Sequence, residues 1–496
     1  MLKKLNSFHL FLLILVIGIL ARLISFVLLP ESAYADSLFH LRLVENTLKT
    51  GIISTPDIFT TPLYYAVSFV FFSITRFPLT MPFIRIIPFL VFIFQIVVSF
   101  FLLKELFNEK KQWFLGLGFI AVFPWLVRYS PVNYVDQFAS VFILLFFYAF
   151  IKLDKTKNPA VLALTPFILA GIALSKANAT LLVPFLLIGL LYYLFKNKYS
   201  IKIIALIALT SIILSSFWFL GNFTQQGNQE AVDEADFGAP LSNVFTALLP
   251  GNLFLSYLSF FDFPPLTAFD KIPWIQSVPW FWTALGFFVI MLPIAITLLY
   301  GAFKSFKSNK VIQVLIALSC LVLFAFTFKT AVNGVIYTRY MMPVMPLLGI
   351  LFVQGFDLLG KRINWKYALY ASLILFAIGS LLLSSVSAYF YSGVYNQNKE
   401  LYSEIQKLPE GSYIASMGKS REIYFYSGKE AGHPPSATDF FAPEATYQAL
   451  KENDFTHLAV TCYNDYWNLS TVNALRDSGL LEKVFEKDCS VLYALK

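Results

Sequence analysis

Long apolar runs separated by short polar breaks occupy most of the chain. They lie at 8–29, 82–104, 112–128, 134–153, 159–174, 177–195, 200–220, 280–303, 310–328, 338–357 and 366–387. These are about eleven segments near the roughly 17–25 residues that a helix needs to cross hydrocarbon, and they predict a polytopic helical membrane protein. A twelfth run, Pro62 to Phe77, is nearly long enough to join them. The charges between runs decide against it. If it does not span, the basic clusters Lys3/Lys4, Lys104/Lys110/Lys111, Lys152/Lys155/Lys157, Lys196/Lys198/Lys202, Lys304/Lys307/Lys310 and Lys361/Arg362/Lys366 all fall on one side. The positive-inside rule makes that side the cytoplasm, with the N-terminus on it. Residues 62–77 then form a juxtamembrane or re-entrant helix on the external side, where protein can cover the backbone.

The pattern changes near Ala388. Ser412–Met417, His457–Tyr463 and Cys489–Ala494 alternate as strands, and Pro443–Asn453 and Leu469–Ser478 read as helices. The chain therefore divides into a membrane domain, 1–387, with external loops 30–81 and 221–279, and a small external α/β domain, 388–496. The latter has no glycine pattern for phosphate; contact with an acceptor, a lid role or stability suits it better than chemistry.

Composition agrees with that reading. With 58% hydrophobic and 13% charged residues, the chain is a membrane protein. Its formal charge of +8 reflects the cytoplasmic lysine clusters and not a nucleic-acid surface. The first run lacks a small-residue cleavage site, so it is expected to be an uncleaved span. Three cysteines exclude a disulfide scaffold and offer no metal-ligand spacing. Cys462 and Cys489 both sit on strands of a domain on the oxidising side, so they are expected to pair.

Candidate chemistry gathers at the external ends of the runs. After the first run comes Glu31-Ser-Ala-Tyr-Ala-Asp36-Ser-Leu-Phe-His40-Leu-Arg42-Leu-Val-Glu45-Asn46, ending at Gly51. Asp36 fits the N-cap of a helix over Ser37–Lys49 that Gly51 closes, with His40 one turn from Asp36. Structural cap and catalytic acid are both open for it. Arg22, Arg85, Arg128, Asp136, Lys176 and Arg339 sit at about the same depth. Charges there are costly and face protein or water. The bland alternatives are snorkelling for Arg128 and an N-cap for Asp136. Together they supply what an anionic lipid phosphate needs, namely acids for catalysis and cations for the phosphate.

Asp36-x-x-x-His40-x-Arg42 resembles the first external loop of the GT-C glycosyltransferases, membrane enzymes that take sugars from polyprenyl- or dolichyl-phosphate carriers. Its His-x-Arg spacing is similar to oligosaccharyltransferase catalytic subunits. Thr61-Pro62-Leu63-Tyr64-Tyr65 resembles a segment of the bacterial lipopolysaccharide and aminoarabinose transferases, and Arg339-Tyr340-Met-Met-Pro343-Val-Met-Pro346 resembles one from aminoarabinose- and mannosyltransferase-like members. The resemblance implies that Asp36 is the catalytic base or a metal ligand. Asp136, after Arg128-Tyr129-Ser130, would be the family's second external acid. It is flanked by Val135 and Gln137, so it offers a single carboxylate to a metal. A divalent ion, Mg or Mn, held by Asp36 and Asp136 is the cofactor this allows. Arg339 and Lys176 would clamp the donor phosphate, because a guanidinium forks onto phosphate oxygens. His40, Arg42, Arg85 and Arg128 would line the substrate site. Tyr64, Tyr65 and Tyr337 would stack on sugar or, more blandly, anchor at the interface.

These residues imply an inverting transfer from the lipid carrier to a lipid, glycan or protein hydroxyl at the external face of the plasma membrane. Oligosaccharyl transfer to Asn is the rival enzyme reading. The Trp-Trp-Asp-Tyr-Gly motif of those enzymes has no convincing counterpart here; Tyr463-Asn464-Asp465-Tyr466-Trp467 is a chance likeness. A flippase or transporter is the rival from another class, but the chain shows no internal repeat and its charges lie at one face. A shared site also requires Asp36 and Asp136 to converge to roughly 10 Å.

Overall fold

The structure is a computed structural model. It describes residues 7–28, 35–53, 61–123, 126–127, 135–226, 280–329, 338–359, 363–416, 420–432, 443–462 and 469–496. At 7, 35–37, 81, 220–226, 280–291, 328–329, 338–340, 363–364, 382–384, 386–394, 421 and 469–470 it describes the backbone alone. By their contacts the described residues fall into two compact units, one drawn from Met1–Val27, Leu43–Asp262 and Ser277–Ser385, the other from Leu28–Arg42 and Val386–Lys496.

The first unit is helical. It contains α1 (Ser7–Leu28), the second half of α2 (Ala35–Thr50), α3 (Leu63–Thr75), α4 (Met81–Ile84), α5 (Ile86–Leu106), α6 (Lys110–Val122), α7 (Asp136–Thr156), α8 (Pro159–Ser175) and α9 (Ala177–Thr180). It continues with α10 (Leu182–Lys196), α11 (Ile201–Gln226), α12 (Trp280–Phe306), α13 (Val311–Lys329), a 3-10 turn (Thr338–Val344), α14 (Met345–Leu359) and the first part of α15 (Ile363–Gln406). Six helical stretches among the described residues are long and apolar enough to cross a membrane, and five shorter apolar helices accompany them. The chain is a multi-pass membrane protein. α3 has 13 residues, about 20 Å of rise, which is short of a hydrocarbon core.

Helix ends follow local chemistry. Glu109 and Gln112 form a capping box at the start of α6. Asn158 caps α8 by accepting from the Ala160 amide at 2.9 Å, with Pro159 in the first turn, where its missing N–H costs nothing. α6 ends at Val122, ahead of Phe123-Pro124, so the run at 112–128 is not one continuous helix. Its last carbonyls are satisfied from other helices. Arg22 of α1, fully buried, donates to Ala121 O and, at 3.3 Å, to Ile120 O, and Ser380 of α15 donates to Val122 O at 2.7 Å. Arg22 also lies 4.0 Å over the ring of Phe92. The first of the external-end cations is thus a structural cap.

Small residues set the closest crossing. A Cβ on Gly301 of α12 would overlap Leu351 O, and one on Gly355 of α14 would overlap Thr297 O. Without a hydrophobic driving force between helices in lipid, such backbone contact supplies much of the attraction.

The C-terminal part of the second unit is a five-stranded sheet in the order β2-β1-β3-β5-β4. Its strands are β1 (Tyr413–Ala415), β2 (Glu430–Gly432), β3 (His457–Val460), β4 (Leu481–Lys487) and β5 (Ser490–Leu495). β1 pairs parallel with β2 and β3, while β5 runs antiparallel between β3 and β4. Side chains alternate across it. Leu458, Val460 and Tyr493 join Leu450, Val472 and Leu475 from α17 (Pro443–Glu452) and α18 (Leu469–Asp477) on one face. Ala459 and Leu492 join Leu401 and Ile405 of α15 and Ile423 of α16 (Ser420–Ser427) on the other. β3 and β5 are in register at Val460↔Val491, which carried on brings residue 462 opposite 489. Cys462 and Cys489 are bonded there, with Cα atoms 5.0 Å apart, as expected. The buried Asn398 of α15 makes two hydrogen bonds to the Cys462 backbone, accepting at 2.8 Å and donating at 3.1 Å. Ala388, where the composition turns polar, lies inside α15, a single helix of 44 residues.

Candidate active site

In the first unit the site is built around the start of α7. Val135 is the N-cap residue and makes no side-chain cap bond, so Asp136 is the first helical residue and not the cap. There its carboxylate gains from the positive end of the helix dipole. It is almost fully buried, and its partner comes from the break between α8 and α9. Lys176 has an extended backbone, φ −162° and ψ 130°, which turns the chain out of one helix and into the next. Its Nζ lies 3.3 Å from Asp136 Oδ1, with the lysine side chain 19% exposed and the aspartate 2%. The alignment is not that of a hydrogen bond, so the contact is one of charge. A buried pair of this kind adds little net stability, because desolvation offsets the attraction. Intramembrane ionisable groups mark function by default.

Other polar residues of these and neighbouring elements are buried too. Ser175 is buried and donates to Gly171 O, and Asn178 is 7% exposed. Arg85 is buried at the junction of α4 and α5. Tyr64, in the first turn of α3, sits edge-on to Phe138 of α7 with centroids 5.5 Å apart and edge-on to Tyr65 at 5.4 Å. Both tyrosines have no exposed surface, so neither offers a face to a sugar; the stacking role foreseen for them does not fit. They pack α3 against the start of α7.

The other expected residues divide. Asp36 stands inside the first turn of α2, which starts at Ala35, so it is not the N-cap foreseen for it; its side chain is outside the described residues. Gly51 closes α2 as expected, with φ +70° and its amide on Thr47 O at 2.9 Å. His40 is buried. In the second unit, Arg42 is exposed and holds its guanidinium 4.2 Å over the Tyr424 ring of α16. Arg339 belongs to the 3-10 turn, which packs on α7, but its side chain is outside the described residues. Arg128 and Tyr337 are outside them altogether. The structure thus brings Asp136 and Lys176 together by side chain, and Tyr64 and Tyr65 onto the same first turn of α7 through Phe138. The expected approach of the Asp36 and Asp136 carboxylates lies outside the described residues.

Sequence reasoning missed Gln95 of α5, which is buried and donates to the first turn of α7. A lone glutamine inside an apolar run was the available signal. No group of three or more His, Cys, Asp and Glu side chains comes together among the described residues, and the one described acid of the site already faces an ammonium.

No protein-family model and no curated protein matches the chain by sequence. Solved structures do. ArnT from Cupriavidus metallidurans bound to undecaprenyl phosphate is similar over 97% of this chain and 97% of its own, with a TM-score of 0.58 and 14% identity. The apo state of the same protein gives 0.58 and 13% over the same shares. The chain has the fold of the GT-C membrane glycosyltransferases. The match covers residues of both units.

Proposed function

We propose that this protein is an inverting glycosyltransferase that moves a sugar from a polyprenyl- or dolichyl-phosphate carrier to a hydroxyl of a lipid, glycan or protein. The observation that carries the proposal is the pairing of buried Asp136 with part-buried Lys176 at a helix start and a helix break, in a fold shared end to end with a protein solved with undecaprenyl phosphate. Lys176 is the phosphate ligand, joined by Arg85, Arg128 and Arg339. Asp136 holds the lysine in place before the donor arrives. Asp36 takes the proton from the acceptor hydroxyl. The oxygen of that hydroxyl bonds to the anomeric carbon from the side opposite the phosphate, and the bond from that carbon to the phosphate oxygen breaks with its electron pair leaving on the carrier. His40 and Arg42 line the same loop. Charge on the departing phosphate is met by the cations, so no step is assigned to a metal. The site works on the external side, which the disulfide supports, since such bonds persist in oxidising compartments.

The test is transfer itself. Membranes holding the protein are incubated with radiolabelled polyprenyl-phosphate sugar and a membrane extract as acceptor. Label should leave the carrier, and EDTA should leave the rate unchanged. Label that stays on the carrier in every membrane tried would overturn the proposal.

A further inference from the structure

Asp136 is the first residue of its helix, so its position depends on whatever holds the first turn of α7. The holder is on α5. Gln95, 1% exposed, donates its Nε2 hydrogens to Gln137 O at 3.2 Å and to Ser140 Oγ. Ser140 Oγ in turn donates to Gln137 O at 2.6 Å. These bonds land one residue and one full turn beyond Asp136, so together they set both the height and the rotation of that turn.

An amide side chain inside an apolar helix is costly unless its hydrogen-bonding groups are met. General helix–helix adhesion would explain it if its contacts fell anywhere along α7. They fall on the turn that presents the acid. A slide or rotation of α7 on α5 would carry Asp136 away from Lys176, whose backbone is fixed separately by the break between α8 and α9.

We infer that Gln95 is a positioning residue: through Gln137 and Ser140 it locks the first turn of α7, so that Asp136 holds Lys176 ready for the donor phosphate. This rests on the proposed role of Lys176 as phosphate ligand. Gln95 touches neither donor nor acceptor and acts through the pair.

The test combines Gln95→Met, which keeps the length of the side chain and removes its donors, with Lys176→Met. Gln95→Met should raise the KM for polyprenyl-phosphate sugar about tenfold while kcat stays within about twofold, the scale of losing one buried hydrogen-bond donor. Added to Lys176→Met it should raise KM no further, because its effect passes through that lysine. Ser140→Ala, a milder change, should move KM in the same direction. Hydrogen exchange on the purified protein gives a reading independent of Lys176: amides 138–141 should exchange faster in Gln95→Met, with the far end of α7 unchanged. Unchanged exchange at 138–141, an unchanged KM, or additive losses in the double variant would overturn the inference. Faster exchange with a KM that neither Gln95→Met nor Lys176→Met alters would sink the phosphate role of Lys176, and with it the functional half of this inference.

Discussion

Two cations show what a side chain's surroundings do to its meaning. Arg22 and Lys176 both read as charges at the external ends of apolar runs. Arg22 donates to carbonyls, those of Gly18 at 3.0 Å and of Ile120 and Ala121, so it serves the C-terminal end of α6. Lys176 meets a carboxylate. Sequence could not separate them, because Ala121 lies 99 positions from Arg22 and only packing brings it near. The same holds for Tyr64 and Tyr65, legible as aromatic but not as buried. Arg22→Met would leave several buried carbonyls unpaired, each costing about 1–3 kcal/mol. Purified protein should therefore melt several degrees lower, with Arg22→Lys between the variant and wild type. An unchanged melting temperature in Arg22→Met would remove the capping role.

At the scale of elements, the crossing of α12 and α14 has no room for a side chain at Gly301, whereas a methyl group added at Gly379 of α15 would meet nothing within 4 Å. Gly301→Leu should abolish folded yield in detergent. Gly379→Ala should leave it unchanged or raise stability by about 0.5–1 kcal/mol, the helical advantage of alanine over glycine. Similar effects from both would show that the close crossing is not what holds these helices. Apolar runs revealed most helices, and alternation revealed β1, β3 and β5. β2 has three residues, too few for a period, and β4 is an exposed edge whose Leu481-Glu-Lys-Val-Phe-Glu-Lys487 carries little apolar signal. The end of α6 was legible in Pro124. Its partners were not.

For the molecule as a whole, the charge pattern of the sequence predicts the C-terminal sheet on the side opposite the lysine clusters. Glu452 is an exposed residue of α17. In intact cells Glu452→Cys should react with an impermeant maleimide, and reaction only after lysis would reverse the topology. The architecture was legible in the sequence because spans, loop charge and the compositional change near Ala388 each leave a linear trace. Asp136 and Lys176 were legible as residue types, but their pairing is a product of the fold.

The central claim is that this fold transfers sugar with Asp36 as base. Asp36→Asn keeps the size of a residue in the first turn of α2, where loss of the charge costs about 0.3–1 kcal/mol against the helix dipole. It removes the basicity that general-base catalysis uses, a contribution of about 10²–10⁴-fold. The deciding measurement is the rate at which label leaves polyprenyl-phosphate sugar in membranes holding equal amounts of inserted wild-type and Asp36→Asn protein. The account predicts active wild type and a variant at least about a hundredfold slower. A variant that inserts normally and transfers at the wild-type rate would contradict it.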